Sequence, residues 1–222
     1  TNWLEEFHSS YKKNINLLFS CISTPEQIKE ESFRLLVDAG LCSVQIGIQS
    51  GSEKTLKLFN RHVNKQSFLD KLNIINKFKD KLMPVYDVIL DNPYDTEQDL
   101  IDTAEFLIQI PKPFQLQLFS LTFFPGTPLH ERAIKDGIIS KEDKNIYIKN
   151  DGVFNKWVYL NQLIFLIPSL SEKQARFLLK HRNIFFKVML ITICRLWECR
   201  LVLAPLPGYK LAKKIIKSIL RK

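Results

Sequence analysis

The stretch that decides the fold is residues 43–59, which read SVQIGIQSGSEKTLKLF. Its first seven residues alternate between β-branched side chains and polar or small ones, the pattern of a half-buried β-strand. Ser52 and Glu53 then begin an amphipathic helix, because serine caps helix N-termini and glutamate favours the first turn. The stretch therefore predicts a strand that leads directly into a helix.

The alternation of strand and helix continues on both sides of this stretch. Further strands are predicted at residues 15–21, 85–91 and 115–121. Parallel strands need long crossovers, which helices provide, so the pattern predicts β–α–β units and a parallel sheet. The helices predicted outside the central stretch cover residues 25–38, 65–78, 96–108 and 128–135.

Each predicted strand has one apolar face and one mixed, partly polar face. The mixed face carries Gln45, Gly47 and Gln49 in one strand and Asp87 in the next. A sheet covered by helices on both sides would show continuous apolar strands. We therefore predict an α/β fold, the C-terminal part of a partial (β/α) TIM-like barrel with about four parallel strands, followed by an α-helical extension. An antiparallel sheet with one wet face is the alternative, and the long crossovers disfavour it.

The positive charge of the chain is unevenly distributed. The 222 residues carry a net charge of +9, yet residues 141–222 hold 17 Lys and Arg against 5 Asp and Glu. Asn150-Asp151-Gly152 indicates a turn or linker. We expect three parts: a barrel segment at residues 1–140, a linker at 141–156, and a basic helical extension at 157–222.

The extension ends in a predicted amphipathic helix at residues 209–221, preceded by helices at 157–167 and 171–203. Three interpretations are open. The commonest case is a docking helix whose lysines face water. An anionic membrane surface could instead bind residues 185–222. Nucleic acid is disfavoured, since a lysine stripe lacks the interleaved arginines and aromatics of such sites.

The four cysteines, Cys21, Cys42, Cys194 and Cys199, are irregularly spaced. Their spacing matches neither a zinc site nor a disulfide framework. We predict reduced thiols, no metal ligands among them, and a cytoplasmic protein, peripheral to the membrane if the extension binds lipid.

The residue chemistry predicts a pocket at the carboxyl ends of the strands, where ligands bind in α/β folds. The candidates are Gln49, Arg61, Asp87 and Asp91. An amide and a carboxylate suit vicinal hydroxyl groups, and an arginine suits a carboxylate, so a ligand with a ribose and a carboxylate would fit. Asp91 is also, with Asn92, a residue type common in turns, and we favour that role for both.

Three blocks of sequence carry a resemblance to a known family. They are GIQSGSEKTLKLFNR (47–61), YDVILDNPYDTEQDL (86–100) and FPGTPL (124–129). In this order and at these separations they resemble the radical S-adenosylmethionine (SAM) superfamily, and most of all its branch with a cobalamin-binding domain. The resemblance covers about residues 10–140.

The resemblance implies cofactor-binding roles for four residues. Gln49 would support the ribose of SAM, and Arg61, on the helix after that strand, would meet the methionyl carboxylate. Asp87 would bind ribose hydroxyls, and Ser50 would line the opening of the same pocket. No residue of this chain is implied to be catalytic.

The chain also departs from the family, because it lacks the CxxxCxxC loop that holds the 4Fe–4S cluster. We expect the cluster loop, the earlier strands and a cobalamin domain upstream of Thr1, and no radical chemistry from the chain alone. The intact enzyme would cleave SAM for methyl transfer or oxidation of a small or lipid-like substrate. The alternatives are a non-catalytic SAM-binding remnant and a membrane-surface or RNA-binding module.

Overall fold

Four parallel strands form one sheet in chain order: β1 (Phe19–Ser23), β2 (Leu41–Gln49), β3 (Met83–Leu90) and β4 (Gln115–Ser120). The structure, a computed structural model, describes residues 2–140, 154–155 and 158–182. The predicted α/β fold with four parallel strands is confirmed. The helices are α1 (Asn2–Asn14), α2 (Glu30–Ala39), α3 (Glu53–Leu58), α4 (Lys65–Asn76), α5 (Glu97–Gln109), α6 (Pro128–Lys135), α7 (Tyr159–Leu166) and α8 (Glu172–Lys180).

The N-terminal segment differs from the prediction. The strand expected over 15–21 begins only at Phe19, and α1 precedes it. Asn16 has a left-handed φ of 51°, which interrupts an extended chain, and Leu18 is 77% exposed. The apolar residues before Phe19 thus form a surface loop rather than a buried strand. The helical signal that was missed is an aromatic residue at every fourth position, Trp3, Phe7 and Tyr11, of which Phe7 and Tyr11 contact Phe19.

The ends of the central helices follow from capping chemistry. Ser52 caps α3 by accepting a hydrogen bond from the Thr55 backbone N–H (3.3 Å). Gly40 ends α2 with a φ of 118°, a conformation that favours glycine. The predicted helix at 25–38 is interrupted, because Pro25–Gln27 is a separate 3-10 turn and the α-helix begins at Glu30.

The apolar face of the sheet is buried beneath the helices. Val44, Ile46 and Ile48 of β2 are 0–1% exposed, and Tyr86 and Val88 of β3 are equally covered. These residues form one core with side chains of α4, α5, α7 and α8. The opposite face is more accessible, as the alternation in the sequence predicts.

The helical extension is packed onto the barrel segment as far as the structure describes it. Helices α7 and α8 pack against α5, and Leu163 and Leu178 belong to the same core as the sheet. Lys112 donates hydrogen bonds to the carbonyls of Ile167 and Leu170, in the turn between α7 and α8. The helix predicted over 171–203 is interrupted, because α8 ends at Lys180 and His181 leaves the helical conformation (φ -99°, ψ 63°). Residues 183–203 and the predicted helix at 209–221 lie outside the described residues. Within the described ranges, no helix is long and apolar enough to cross a bilayer.

Candidate functional site

Three polar side chains form a row across the accessible face of the sheet. Gln45 of β2 donates its Nε2 to both carboxylate oxygens of Asp87 on β3, at 2.9 Å each. The same nitrogen lies 3.3 Å from Oε1 of Gln117 on β4. The parallel register explains the row. Asp87 is the direct partner of Gln117, so their side chains point to the same side of the sheet. Gln45 lies on that side too, because it is two residues before Gly47, the partner of Asp87 on β2.

The carboxyl group of Asp87 is half-buried in this row. Burial raises the pKa of Asp87, and the hydrogen bond from Gln45 opposes the rise. Gln45 and Gln117 were on the predicted polar face, but sequence reasoning did not select them as site residues. The alternation of polar and apolar residues showed which face these two glutamines occupy. It could not show that the Gln45 side chain reaches Asp87 on the next strand.

The Gln45 contact leads to a test of the electrostatics of the row. Gln45→Leu should raise the pKa of Asp87 further, because the charged carboxylate loses the hydrogen bond that favours it. Carbon-13 NMR titration of the Asp87 carboxyl would measure the shift. Gln115→Leu, a change to an exposed residue of β4 without a hydrogen bond to Asp87, is the matched control. An unchanged pKa in Gln45→Leu would contradict the role of this hydrogen bond.

Gln49 lies at a bulge where β2 ends. The register with β3 shifts between Gly47 and Gln49, and Gln49 has a left-handed φ of 67°. Its side chain turns back over Gly47, on the strand position that pairs with Asp87. Within the described residues, the Gln49 carboxamide has no hydrogen-bond partner. The structure therefore brings two predicted site residues, Gln49 and Asp87, to adjacent positions on one face.

Arg61 was predicted to lie on the helix after β2. In the structure it lies just past the end of α3. Asn60 ends the helix in a left-handed conformation (φ 55°), and the Arg61 backbone N–H donates to the carbonyl of Leu56 (2.8 Å). The exposed Arg61 side chain is near Glu26, which follows β1. Hydrogen bonds from the backbone and Thr24 lower the pKa of Glu26, and the Arg61 charge adds to this. Among the described residues, no hydrogen bond joins Arg61 to Gln49 or Asp87.

Ser50 points away from the row, into a buried polar joint between the β2–α3 turn and α5. Its hydroxyl lies 3.0 Å from the Thr103 hydroxyl and accepts from the Ser52 backbone N–H (3.1 Å). Ser52 in turn donates to Asp99 (2.6 Å). Ser50 is 4% exposed, so its hydroxyl is committed to holding the turn against α5. A direct role of Ser50 in binding a cofactor stays a prediction.

The two residues predicted as turn formers have that role. Asn92 accepts from the Tyr94 backbone N–H (3.1 Å) and donates to Asp95 (2.7 Å). Asp91 has a left-handed φ of 55°, and its carboxylate accepts from the Asn161 side chain (2.8 Å). Asp91 thus joins the end of β3 to α7.

The described residues do not form a metal centre. They contain no group of three or more His, Cys, Asp or Glu side chains that could hold a metal ion. Cys21 and Cys42 are free and partly buried, and burial raises the pKa of Cys21, which disfavours the thiolate that binds metals. Cys194 and Cys199 lie outside the described residues.

Comparison with known proteins identifies relatives of the chain. The family model described as Radical SAM superfamily matches residues 3–107. The threonylcarbamoyladenosine tRNA methylthiotransferase MtaB of Bacillus subtilis is 27% identical over 155 residues, which are 67% of this chain and 34% of that protein. A tRNA-2-methylthio-N(6)-dimethylallyladenosine synthase of Desulfosudis oleivorans is 34% identical over 105 residues, 47% of this chain and 22% of that protein. The chain thus spans about a third or less of the length of these curated relatives.

Solved structures share the fold. The radical SAM methyltransferase TsrM of Kitasatospora setae, with cobalamin and a [4Fe-4S] cluster bound, matches 61% of this chain and 25% of that chain, with a TM-score of 0.50 and 16% identity. Coproporphyrinogen III oxidase (HemN) of Escherichia coli matches 66% of this chain and 35% of that chain, with a TM-score of 0.50 and 18% identity. At such identities the likeness concerns the fold alone. The match of the family model makes residues 3–107 similar to the radical SAM superfamily, and the parallel sheet described above fits this similarity.

Proposed function

We propose that this chain supplies the SAM-binding face of a radical SAM enzyme. The observation that carries the proposal is that the Gln49 side chain lies over Gly47, the register partner of Asp87, and that the Gln49 carboxamide has no hydrogen-bond partner within the described residues. A carboxylate accepts hydrogen bonds from two neighbouring hydroxyl groups, and a carboxamide can both donate and accept. The pair therefore fits the ribose of SAM.

Arg61 is the proposed partner of the methionyl carboxylate. It lies after α3 near Glu26, which follows β1, so it is close to the carboxyl ends of the strands. A guanidinium grips a carboxylate with two parallel hydrogen bonds. The exposed position of Arg61 leaves these donors accessible to a ligand.

The described residues do not fit an iron–sulfur cluster, since they include no group of three or more side chains that could bind a metal ion. In the proposed enzyme the ligands of a 4Fe–4S cluster, and any cobalamin site, belong to protein outside these residues. Such a cluster would supply the electron for radical chemistry on SAM when bound there. Between methyl transfer and oxidation, we favour transfer of a group, because a curated relative is a methylthiotransferase.

Calorimetric titration with SAM tests the proposal. Gln49→Ala, Arg61→Ala and Asp87→Ala should each weaken binding roughly 10- to 150-fold, because removing a partner of a charged or buried hydrogen bond costs about 1.5–3 kcal/mol. S-adenosylhomocysteine, with the same ribose and carboxylate, should lose affinity in parallel. Gln115→Ala is the control. Gln115 lies on β4 on the same face as Gln117, and this variant should bind SAM as tightly as the unchanged protein does.

Unchanged affinity in all three variants would refute the site. Loss of affinity in Gln49→Ala and Asp87→Ala with unchanged binding in Arg61→Ala would support the ribose contacts and remove the carboxylate contact. The two halves of the proposed site are thus tested separately.

A further inference from the structure

The Gln49 side chain occupies the space where any other residue at position 47 would carry its Cβ atom. A Cβ built on Gly47 would lie 2.3 Å from Nε2 of Gln49, 3.4 Å from Cδ and 3.9 Å from Cγ. These three atoms are the nearest to that position. The end of the Gln49 side chain therefore lies against the backbone of β2 at Gly47.

Gly47 is needed for space rather than for its conformational freedom. Its φ lies outside the left-handed region, unlike that of Gly40 (118°), so alanine can adopt the backbone conformation at this position. The clash in an alanine variant involves the end of one flexible side chain, which can rotate away. The fold should therefore tolerate alanine at position 47, but the Gln49 carboxamide should be displaced from its position against the backbone.

The position of Gly47 in the sheet decides what the carboxamide faces. Gly47 is the direct partner of Asp87 in the parallel register, and neighbouring strands lie about 4.8 Å apart. The bulge and the left-handed φ of Gln49 turn its side chain back along the strand to this position. Without the open space at Gly47, the carboxamide would leave the neighbourhood of Asp87.

We propose that Gly47 is a positioning residue, which seats the Gln49 carboxamide beside Asp87 for binding of the ribose. This inference rests on the proposed function for its ligand and adds a residue that contacts the ligand only through Gln49. It predicts that the contribution of Gly47 to binding disappears when the Gln49 side chain is removed.

A double-mutant cycle tests this coupling. Gly47→Ala should weaken SAM binding about 10-fold or more, nearly as much as Gln49→Ala. In the Gln49→Ala background, Gly47→Ala should change the affinity by a factor close to 1. If Gly47→Ala weakens binding by the same factor in both backgrounds, or leaves it unchanged while Gln49→Ala weakens it, the proposal is wrong.

A second measurement is independent of SAM. In the unliganded protein, NMR should show nuclear Overhauser contacts between the Gln49 side-chain NH₂ and the α-protons of Gly47, and Gly47→Ala should abolish them while the melting temperature stays close to that of the unchanged protein. Absence of these contacts in the unchanged protein would overturn the positioning role. If they are present but Gln49→Ala and Asp87→Ala both bind SAM normally, the proposed function fails, and what stands is that Gly47 positions the Gln49 carboxamide, without the ribose as its ligand.

Discussion

Asp99→Ala is expected to lower the free energy of unfolding by about 3 kcal/mol, because it removes both a helix cap and the centre of a buried polar cluster. Asp99 is 5% exposed and accepts hydrogen bonds from Ser52 Oγ (2.6 Å), Lys54 Nζ (2.8 Å) and the Thr96 backbone N–H (2.7 Å). Urea denaturation would measure the loss as a lower midpoint. Glu105→Ala, an exposed acidic residue of the same helix, is the control and should change stability by less than about 0.5 kcal/mol.

The same variant should change the response of the protein to acid. Burial alone would raise the pKa of Asp99, but the hydrogen bonds from Lys54, Ser52 and Thr96 outweigh burial and hold the pKa far below its usual range. A carboxyl group with a lowered pKa stabilises the fold above its unfolded pKa of about 3.9, and this contribution is lost as the pH falls toward the folded pKa.

Denaturation of the unchanged protein at a series of pH values should therefore show stability falling below about pH 4, and Asp99→Ala should flatten this fall. Some acid sensitivity should remain, since hydrogen bonds from Lys12 and His8 lower the pKa of Asp38 to about 2. An acid response of the variant as steep as that of the unchanged protein would show that the Asp99 cluster is not its source.

Gly51→Ala is expected to lower the free energy of unfolding by about 2–3 kcal/mol through overpacking. A Cβ atom at this position would lie 2.6 Å from Cα of Thr103, 2.7 Å from the Asp102 carbonyl oxygen and 2.7 Å from Cβ of Phe106. Two of these atoms are backbone, so α5 itself must move to make room. The turn after β2 and α5 are joined at this point by the Gly51 N–H, which donates to the Thr103 hydroxyl (3.0 Å).

Gly47→Ala is the matched comparison for stability, because its clash involves only the end of the Gln49 side chain. Thermal and urea denaturation of both variants should show a large loss for Gly51→Ala and a small one for Gly47→Ala. Equal losses would contradict the distinction between a backbone clash and a side-chain clash on which both predictions depend.

The parallel strands and the apolar and polar faces of β2 and β3 could be predicted, since they follow from local patterns. Alternation in β2 and β3 put Gln45, Gly47 and Asp87 on one face, and the parallel arrangement followed from the helical crossovers. The bulge that turns the Gln49 side chain back over Gly47 was not visible in the alternation. The cap residue Ser52 was likewise visible, because capping depends on residues close in sequence.

The start of β1 and the location of Arg61 were less predictable. The apolar residues before Phe19 have the composition of a strand, yet the left-handed Asn16 turns the chain into a loop. Similarly, Asn60 ends α3 one residue before Arg61. Both errors arise from single residues with positive φ, which composition and periodicity do not reveal.

By itself, the sequence determined the α/β class, the order of the elements and the family resemblance, because each depends on spacing along the chain. Only the tertiary structure decided what the individual polar side chains do. Ser50 hydrogen-bonds to Thr103 of α5, 53 residues away, and Gln45 to Asp87, 42 residues away. The Gln49 carboxamide packs against the backbone of Gly47. The physical reason is that a side-chain partner is fixed by strand register, bulges and packing distance, and these exist only once distant segments are folded together.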